Sequence, residues 1–404
     1  MARRPRHTDS TCRTSSPSRS RRARRQAKRS GPSRRMSAVP GDASRAPGAP
    51  GQHPGEETDV QHCGMDLHSR LTAWHLIDGA GRELGSGVIP TTEEDLGEFL
   101  RQQSKLTQVY LEASTPSAWA ARVIEANGHR PVVVDPTRNR LISGSTKKTD
   151  RTDAATLATL GRAGLLTPVH VRSPETDRVR RLFTLRQAMV RSRASLVKVV
   201  RATLRAEAVL LPRADTDAFA ARMRTTWEVP AELARDVEPV VEAIAGITEQ
   251  VRVAEEAIHD HAVENKKLVR RLTSIPGVGE LTAVAFLAHI EDPRRFRNSG
   301  QVAAYLGLAP WVHESAGRRR EAGITKRGNK AVRTLLIQAA WSHVHGRMDT
   351  ALKRWFYSLA ERIGRKKAIA ALARKLGELM WTLWRKEADY QPFPPSSRRA
   401  PTSP

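Results

Sequence analysis

At 404 residues the chain exceeds one ordinary domain, and two or three are expected. Its 68 Lys and Arg against 42 Asp and Glu leave a net charge of +26, which makes a polyanion the leading partner class, nucleic acid before anionic membrane. Two cysteines, Cys12 and Cys63, exclude a disulfide framework and a structural zinc site, and no apolar run approaches the roughly 18 residues a bilayer span needs.

Residues 1–60 are rich in Arg, Ser, Pro and Gly ("SRSRRARRQAKRSGPSRR") and too poor in apolar residues to offset chain entropy. They are expected to be a disordered basic arm, read as a phosphate-binding segment, as a solvated tail, or as sequence ahead of a true start at Met36. Met65 is no alternative start, because it lies inside the first predicted strand. No signal-peptide stretch precedes it, so a cytoplasmic protein with no membrane partner is expected.

Residues 61–173 read as one α/β domain. "HCGMDLH", "LTAWHLID" and "RELGSGVI" predict three strands, the last two joined by a "GAG" turn. "TTEEDLGEFLRQQ" follows as a helix with a Thr/Glu capping signature. "TQVYLEAS" predicts a strand, "PSAWAARVIEANG" a helix opened by Pro and closed by Gly, and "RPVVVDP" a strand. A further helix begins near Thr149. The order βββαβαβα is that of an RNase H-like domain, whose first and fourth strands lie parallel at the sheet centre.

That topology puts Asp66 on the central strand and Glu112 near the end of its neighbour. Asp150 and Asp153 stand three apart on the last helix, on one face. Four converging carboxylates repel unless a cation joins them, and hard oxygen donors favour Mg²⁺, with Mn²⁺ an alternative. Two such ions can clamp the attacking and leaving oxygens of a phosphodiester. The competing reading pairs Asp150 and Asp153 with Lys147, Lys148 and Arg151 in weak surface salt bridges.

Residues 174–265 carry apolar positions near a 3.5-residue period (Val179, Phe183, Val197, Val200, Leu204; then Val237, Ile244, Val251, Ile258). They predict a coiled-coil arm of two long helices, packed within the chain or between subunits. Residues 266–391 are expected to form an all-α domain, and 392–404 a disordered tail. This third domain opens with "LVRRLTSIPGVGELTAVAFLAHI", a helix-hairpin-helix-like turn whose Gly277 and Gly279 could bring backbone N–H groups to a phosphate. The tryptophans at 341, 381 and 384 are assigned to the core. Further on, Ser315 sits in a small-residue loop before Arg318, Arg319, Arg320, Lys326 and Arg327. Such cations can hold a phosphate, but spacing alone reads the serine as a turn residue.

The motifs "GMDLH", "YLEAS", "KKTDRTDAATLA", "SIPGVGELTAVAFLA", "AAYLGLAPWVHESAGRRREAGITKRGNKAVRTLLIQAAW" and "KKAIAALARKL" occur in one order across residues 62–390. Together they resemble the insertion-sequence-110 transposases, also called the 116/902 type. The resemblance implies a RuvC-like DEDD domain, a coiled coil and a C-terminal transposase domain. It implies that Asp66, Glu112, Asp150 and Asp153 match the metal ligands, and that Ser315 matches a serine that forms a covalent phosphoserine link with DNA. It further implies donor and target DNA as partners, a structured guide RNA encoded by the element, and a homo-oligomer, dimer or tetramer. Where the family often has a small residue and a lysine after the first aspartate, this chain has Leu67, His68 and Ser69. Two other functions fit the residues: a metal-dependent junction nuclease using water, and a non-catalytic nucleic-acid-binding protein.

Overall fold

A computed structural model describes residues 60–136, 150–315 and 318–393. The side chains of residues 312–322 lie outside that description, as do the basic arm, Lys147, Lys148 and the tail beyond 393.

Strands β1 (Gln61–Leu67), β2 (Leu71–Ile77), β3 (Glu83–Pro90), β4 (Thr107–Glu112) and β5 (Arg130–Val134) form one sheet in the order β3-β2-β1-β4-β5. The expected parallel pair lies at its centre, with Cys63 opposite Val109 and Met65 opposite Leu111. Helices α1 (Glu93–Arg101) and α2 (Ser117–Ala126) cover one face. The Thr/Asp pair that caps α1 sits one residue later than "TTEE" suggested: Thr92 Oγ1 accepts from Asp95 N–H at 3.1 Å. Strand alternation sends Cys63, Met65, Val109 and Leu111 into the core with Leu96, Leu100 and Ile124. Each large apolar side chain buried there contributes about 1.5–3 kcal/mol. The opposite face receives α3 (Asp150–Arg162), which buries Ala154, Leu157, Ala158 and Gly161 at helical spacing.

Helix α4 (Pro174–Ala206) starts with Ser173 as N-cap and Pro174 in its first turn. It runs antiparallel to α6 (Ala231–Glu264), joined to it through the short α5 (Phe219–Thr225). Val179 and Phe183 cluster with Ile258 and Ala262 at the base, and Val197, Val200 and Leu204 with Val237, Val241 and Ile244 at the tip. The pairing is therefore within the chain. Arg193 interrupts the apolar seam, buried and donating to Thr248 Oγ1 at 3.3 Å.

The remaining described α-helices are α7 (Lys266–Thr273), α8 (Glu280–Ile290), α9 (Ser299–Tyr305), α10 (Lys330–His345), α11 (Ala351–Ile363) and α12 (Arg365–Lys386). Every residue of α8 from Thr282 to Ile290 is buried, so this helix is the axis of the domain. Trp381 is buried and donates Nε1–H to Pro293 O, while Trp384 meets the Phe286 ring edge-on; these two pack as core residues. Trp341 is half-buried against the same core and stacks on His345. The domain is helical but not all-α, because β6 (Pro310–Ser315) and β7 (Arg318–Ile324) pair as an antiparallel hairpin. The Arg- and Gly-rich composition concealed it as a loop. At its base, Thr325 N–H donates to Ala309 O and Lys326 N–H to Gly307 O.

Two carboxylates fasten the α/β domain to the helices. Glu291, just beyond α8, accepts from Ser173 N–H at 2.9 Å and pairs with His170 Nε2 at 2.6 Å. Asp177 takes Arg122 and Arg172 together. Burial alone would raise its carboxyl, but hydrogen bonds and charge from Arg172 and Arg122 outweigh that and hold it below the usual range.

His289 on α8 is 1% exposed; its Nδ1–H donates to Ala285 O at 2.7 Å, and its Nε2 has no partner among the described residues. Burial, with Arg180 and Arg172 nearby, pushes its pKa down to about 3, so the folded state holds it neutral. A depressed histidine stabilises fully above its unfolded pKa of about 6.5, and that contribution drains as pH falls towards 3. The loss begins near pH 6.5 and steepens to about 1.4 kcal/mol per pH unit towards pH 5. His289→Asn, which keeps a donor for Ala285 O, is expected to flatten this part of the pH dependence in urea denaturation.

Candidate metal and nucleic-acid site

Period-two alternation places Gly64 and Asp66 on the face of β1 opposite Met65, and Tyr110 and Glu112 on the matching face of β4 opposite Leu111. Helix α3 covers this face with its first turn at the carboxyl ends of the two parallel strands. Close approach is possible because side chains are missing where the layers touch. A Cβ on Gly64 would stand 2.0 Å from Ala154 O and 2.6 Å from Ala158 N, and one on Gly161 2.4 Å from the Tyr110 ring.

The result is a cluster at the sheet edge. Asp66, His68 and Asp150 each offer a ligand atom, all within 4.8 Å of one another. His68 Nε2 lies 3.2 Å from Asp66 Oδ2 and 3.5 Å from Asp150 Oδ1. Its backbone N–H donates to Leu71 O, which closes the turn between β1 and β2 and fixes where the ring starts. Asp66 is 21% exposed and Asp150 67%. Burial raises the Asp66 carboxyl above its ordinary value; His68 opposes this, while the charges of Asp150 and Asp153 raise it further.

Two of the four expected acids, Asp66 and Asp150, thus come together. Asp153 lies in the same first turn and acts on Asp66 through its charge, and Glu112 ends the neighbouring strand on the same face, but the 4.8 Å group includes neither. His68 was not foreseen. The donor set fits a divalent cation: oxygen ligands suit Mg²⁺, and the added nitrogen suits Mn²⁺ at least as well.

Ser315 ends β6 and Arg318 begins β7, so the expected loop serine stands at the tip of a hairpin, with Arg319 paired in register to Glu314 and Arg320 to His313. The side chains of Ser315, Arg318, Arg319 and Arg320 lie outside the described part. Lys326 and Arg327 are exposed at the hairpin base. In the α7–α8 turn the structure gives Gly277 another reason to be glycine. Its φ is +87°, and a Cβ would lie 2.5 Å from both Ala339 O and His343 N of α10. Gly279 caps α8 in open space, although Glu280 already places a carboxylate in the first turn there. No described helix is long and apolar enough to cross a membrane.

A family model described as "Transposase IS116/IS110/IS902 family" matches residues 269–357, and a second transposase model, of the DEDD type, matches residues 63–207. The chain is 30% identical over 257 residues to the transposase for insertion sequence element IS1111A of Coxiella burnetii, covering 60% of this chain and 68% of that protein. It is 28% identical over 342 residues to a probable family 20 transposase of Pseudomonas aeruginosa, covering 83% and 99% respectively.

If Gly64 is what lets α3 reach the sheet, Gly64→Ala should push the helix outward and separate Asp150 from Asp66. Overpacking of this kind costs about 1–3 kcal/mol. Chemical denaturation should show that loss, and calorimetric titration should show weakened Mn²⁺ binding in the fraction that still folds.

Proposed function

Because the chain belongs to the IS116/IS110/IS902 family of transposases, enzymes that cut and rejoin DNA, we propose that it moves an insertion sequence through a metal-binding acidic cluster and a serine nucleophile. The observation that carries this reading is the convergence of Asp66, His68 and Asp150 at the carboxyl edge of the sheet. In it, Asp66, Glu112, Asp150 and Asp153 hold Mg²⁺ or Mn²⁺ in a RuvC-like domain, with His68 as a further ligand or an orienting partner. A bound divalent ion would draw charge from the phosphate oxygens and favour attack at phosphorus.

Ser315 Oγ forms the new bond to phosphorus, the phosphate–deoxyribose oxygen bond breaks, the serine proton passes to a base and the departing oxygen acquires one. Reversal on a second strand rejoins the DNA. Arg318, Arg319 and Arg320 on the β7 side of the hairpin, with Lys326 and Arg327 beyond its base, would grip the phosphate and offset charge developing on it. Of the α7–α8 turn, Gly279 rather than Gly277 is the better-placed phosphate contact. A guide RNA encoded by the element selects donor and target by base pairing, while the protein reads backbone and shape. The α4–α6 pair acts as a coiled-coil arm in a dimer or tetramer, working in the cytoplasm on nucleoid DNA.

Ser315→Ala should abolish a protease-sensitive protein–DNA adduct on a gel while leaving DNA affinity within about twofold. Asp150→Asn should slow cleavage by at least about a hundredfold, with affinity also kept. Hydrolysed ends from Ser315→Ala would instead identify water as the nucleophile.

A further inference from the structure

Away from the acidic edge and the hairpin, a groove runs between the α/β domain and the helical domain. One part, about 470 Å³, lies between the loop after β4, helix α2, the first half of α4 and Asn329; the second, about 180 Å³, continues along α4 to the start of α10. Thr184 and Asn329 line both, so the two parts are continuous. Arg122, Arg172, Arg180, Arg181, Arg191 and Lys330 line it, against a single carboxylate, Asp177. That carboxylate is already engaged by Arg122 and Arg172, and no described carboxylate pairs with Arg181, Arg191 or Lys330.

The wall has a direction. Arg181, Thr184, Gln187 and Arg191 recur at three- and four-residue steps, so they form one polar stripe on α4. It lies beside the apolar seam that faces α6 and extends about 15 Å. At one end the lining includes Ser114 and Thr115, the second and third residues after Glu112. A phosphodiester chain laid in the groove would therefore emerge at the carboxyl end of β4, beside the acidic cluster.

We infer that this groove is a binding site for the sugar-phosphate backbone of the DNA, with Arg181, Arg191 and Lys330 as its phosphate contacts, and that it leads the strand to the metal-binding edge. The inference rests on the DNA-processing reading above, and the test separates the two. A photoreactive benzoylphenylalanine in place of Leu185, which is 60% exposed and lines the groove, should crosslink to a short random-sequence DNA duplex. Arg181→Ala with Arg191→Ala should lower the slope of log affinity against log salt by about 2, from two phosphate contacts at about 0.9 each. Arg181→Lys with Arg191→Lys should restore the slope, which a folding defect would not predict.

Both results should persist in the Asp150→Asn background. If cutting proves independent of Asp150 while crosslink and slope hold, the catalytic reading fails and the groove stands. If the chain cuts DNA but Leu185 yields no DNA crosslink and the slope is unchanged, the groove assignment falls. Preferential crosslinking to a single-stranded RNA of the same length would overturn it in favour of an RNA site.

Discussion

The chemistry of the molecule depends on two missing side chains. An α-helix packed on a sheet is normally held off by the side chains between them. At Gly64 and Gly161 nothing holds α3 off, so its backbone settles against β1 and the Tyr110 ring. Only at that separation does the first turn of the helix bring Asp150 to Asp66. Two glycines nearly a hundred residues apart thus set the geometry of the carboxylates without touching them.

Electrostatics completes this constraint. In a chain with so large a positive excess, carboxylates have cations to spare, and several take an arginine: Asp177 pairs with Arg122 and Arg172, and Glu255 with Arg186. The edge of the sheet differs. Burial of Asp66, helped by the charges of Asp150 and Asp153, holds its proton more tightly than usual, and the neighbouring His68 only partly opposes this. Crowded negative charge in a basic protein is costly, and a divalent ion relieves that cost more fully than His68 can.

Much of this was legible in the order of residues. Alternating strands broken by Gly turns, and helices opened by Thr or Pro, were enough to place β1 beside β4 and therefore Asp66 near the first turn of α3. The 3.5-residue period of Val179, Phe183, Val197 and Leu204 was enough for the paired helices. Other features carried no such pattern. His68 is a lone histidine beyond a strand end, and only the two-residue step from Asp66 hinted that both face the same way. The β6–β7 hairpin was hidden because Arg and Gly dominate it, although the alternation of Trp311, His313 and Ser315 was available. Arg193 violates the seam it occupies, and the groove along α4 needs contacts between domains that local pattern does not encode.

The paired helices have a mechanical consequence. At 33 residues, α4 is a strut about 50 Å long, and its root carries both the Asp177 clasp and the polar stripe. A rotation of one degree at that root sweeps the far tip by about 1 Å. Small adjustments where nucleic acid is gripped are thereby magnified at the distal cluster around Phe219, and a push on that cluster is geared down into fine movement at the root. The hairpin of helices is a lever.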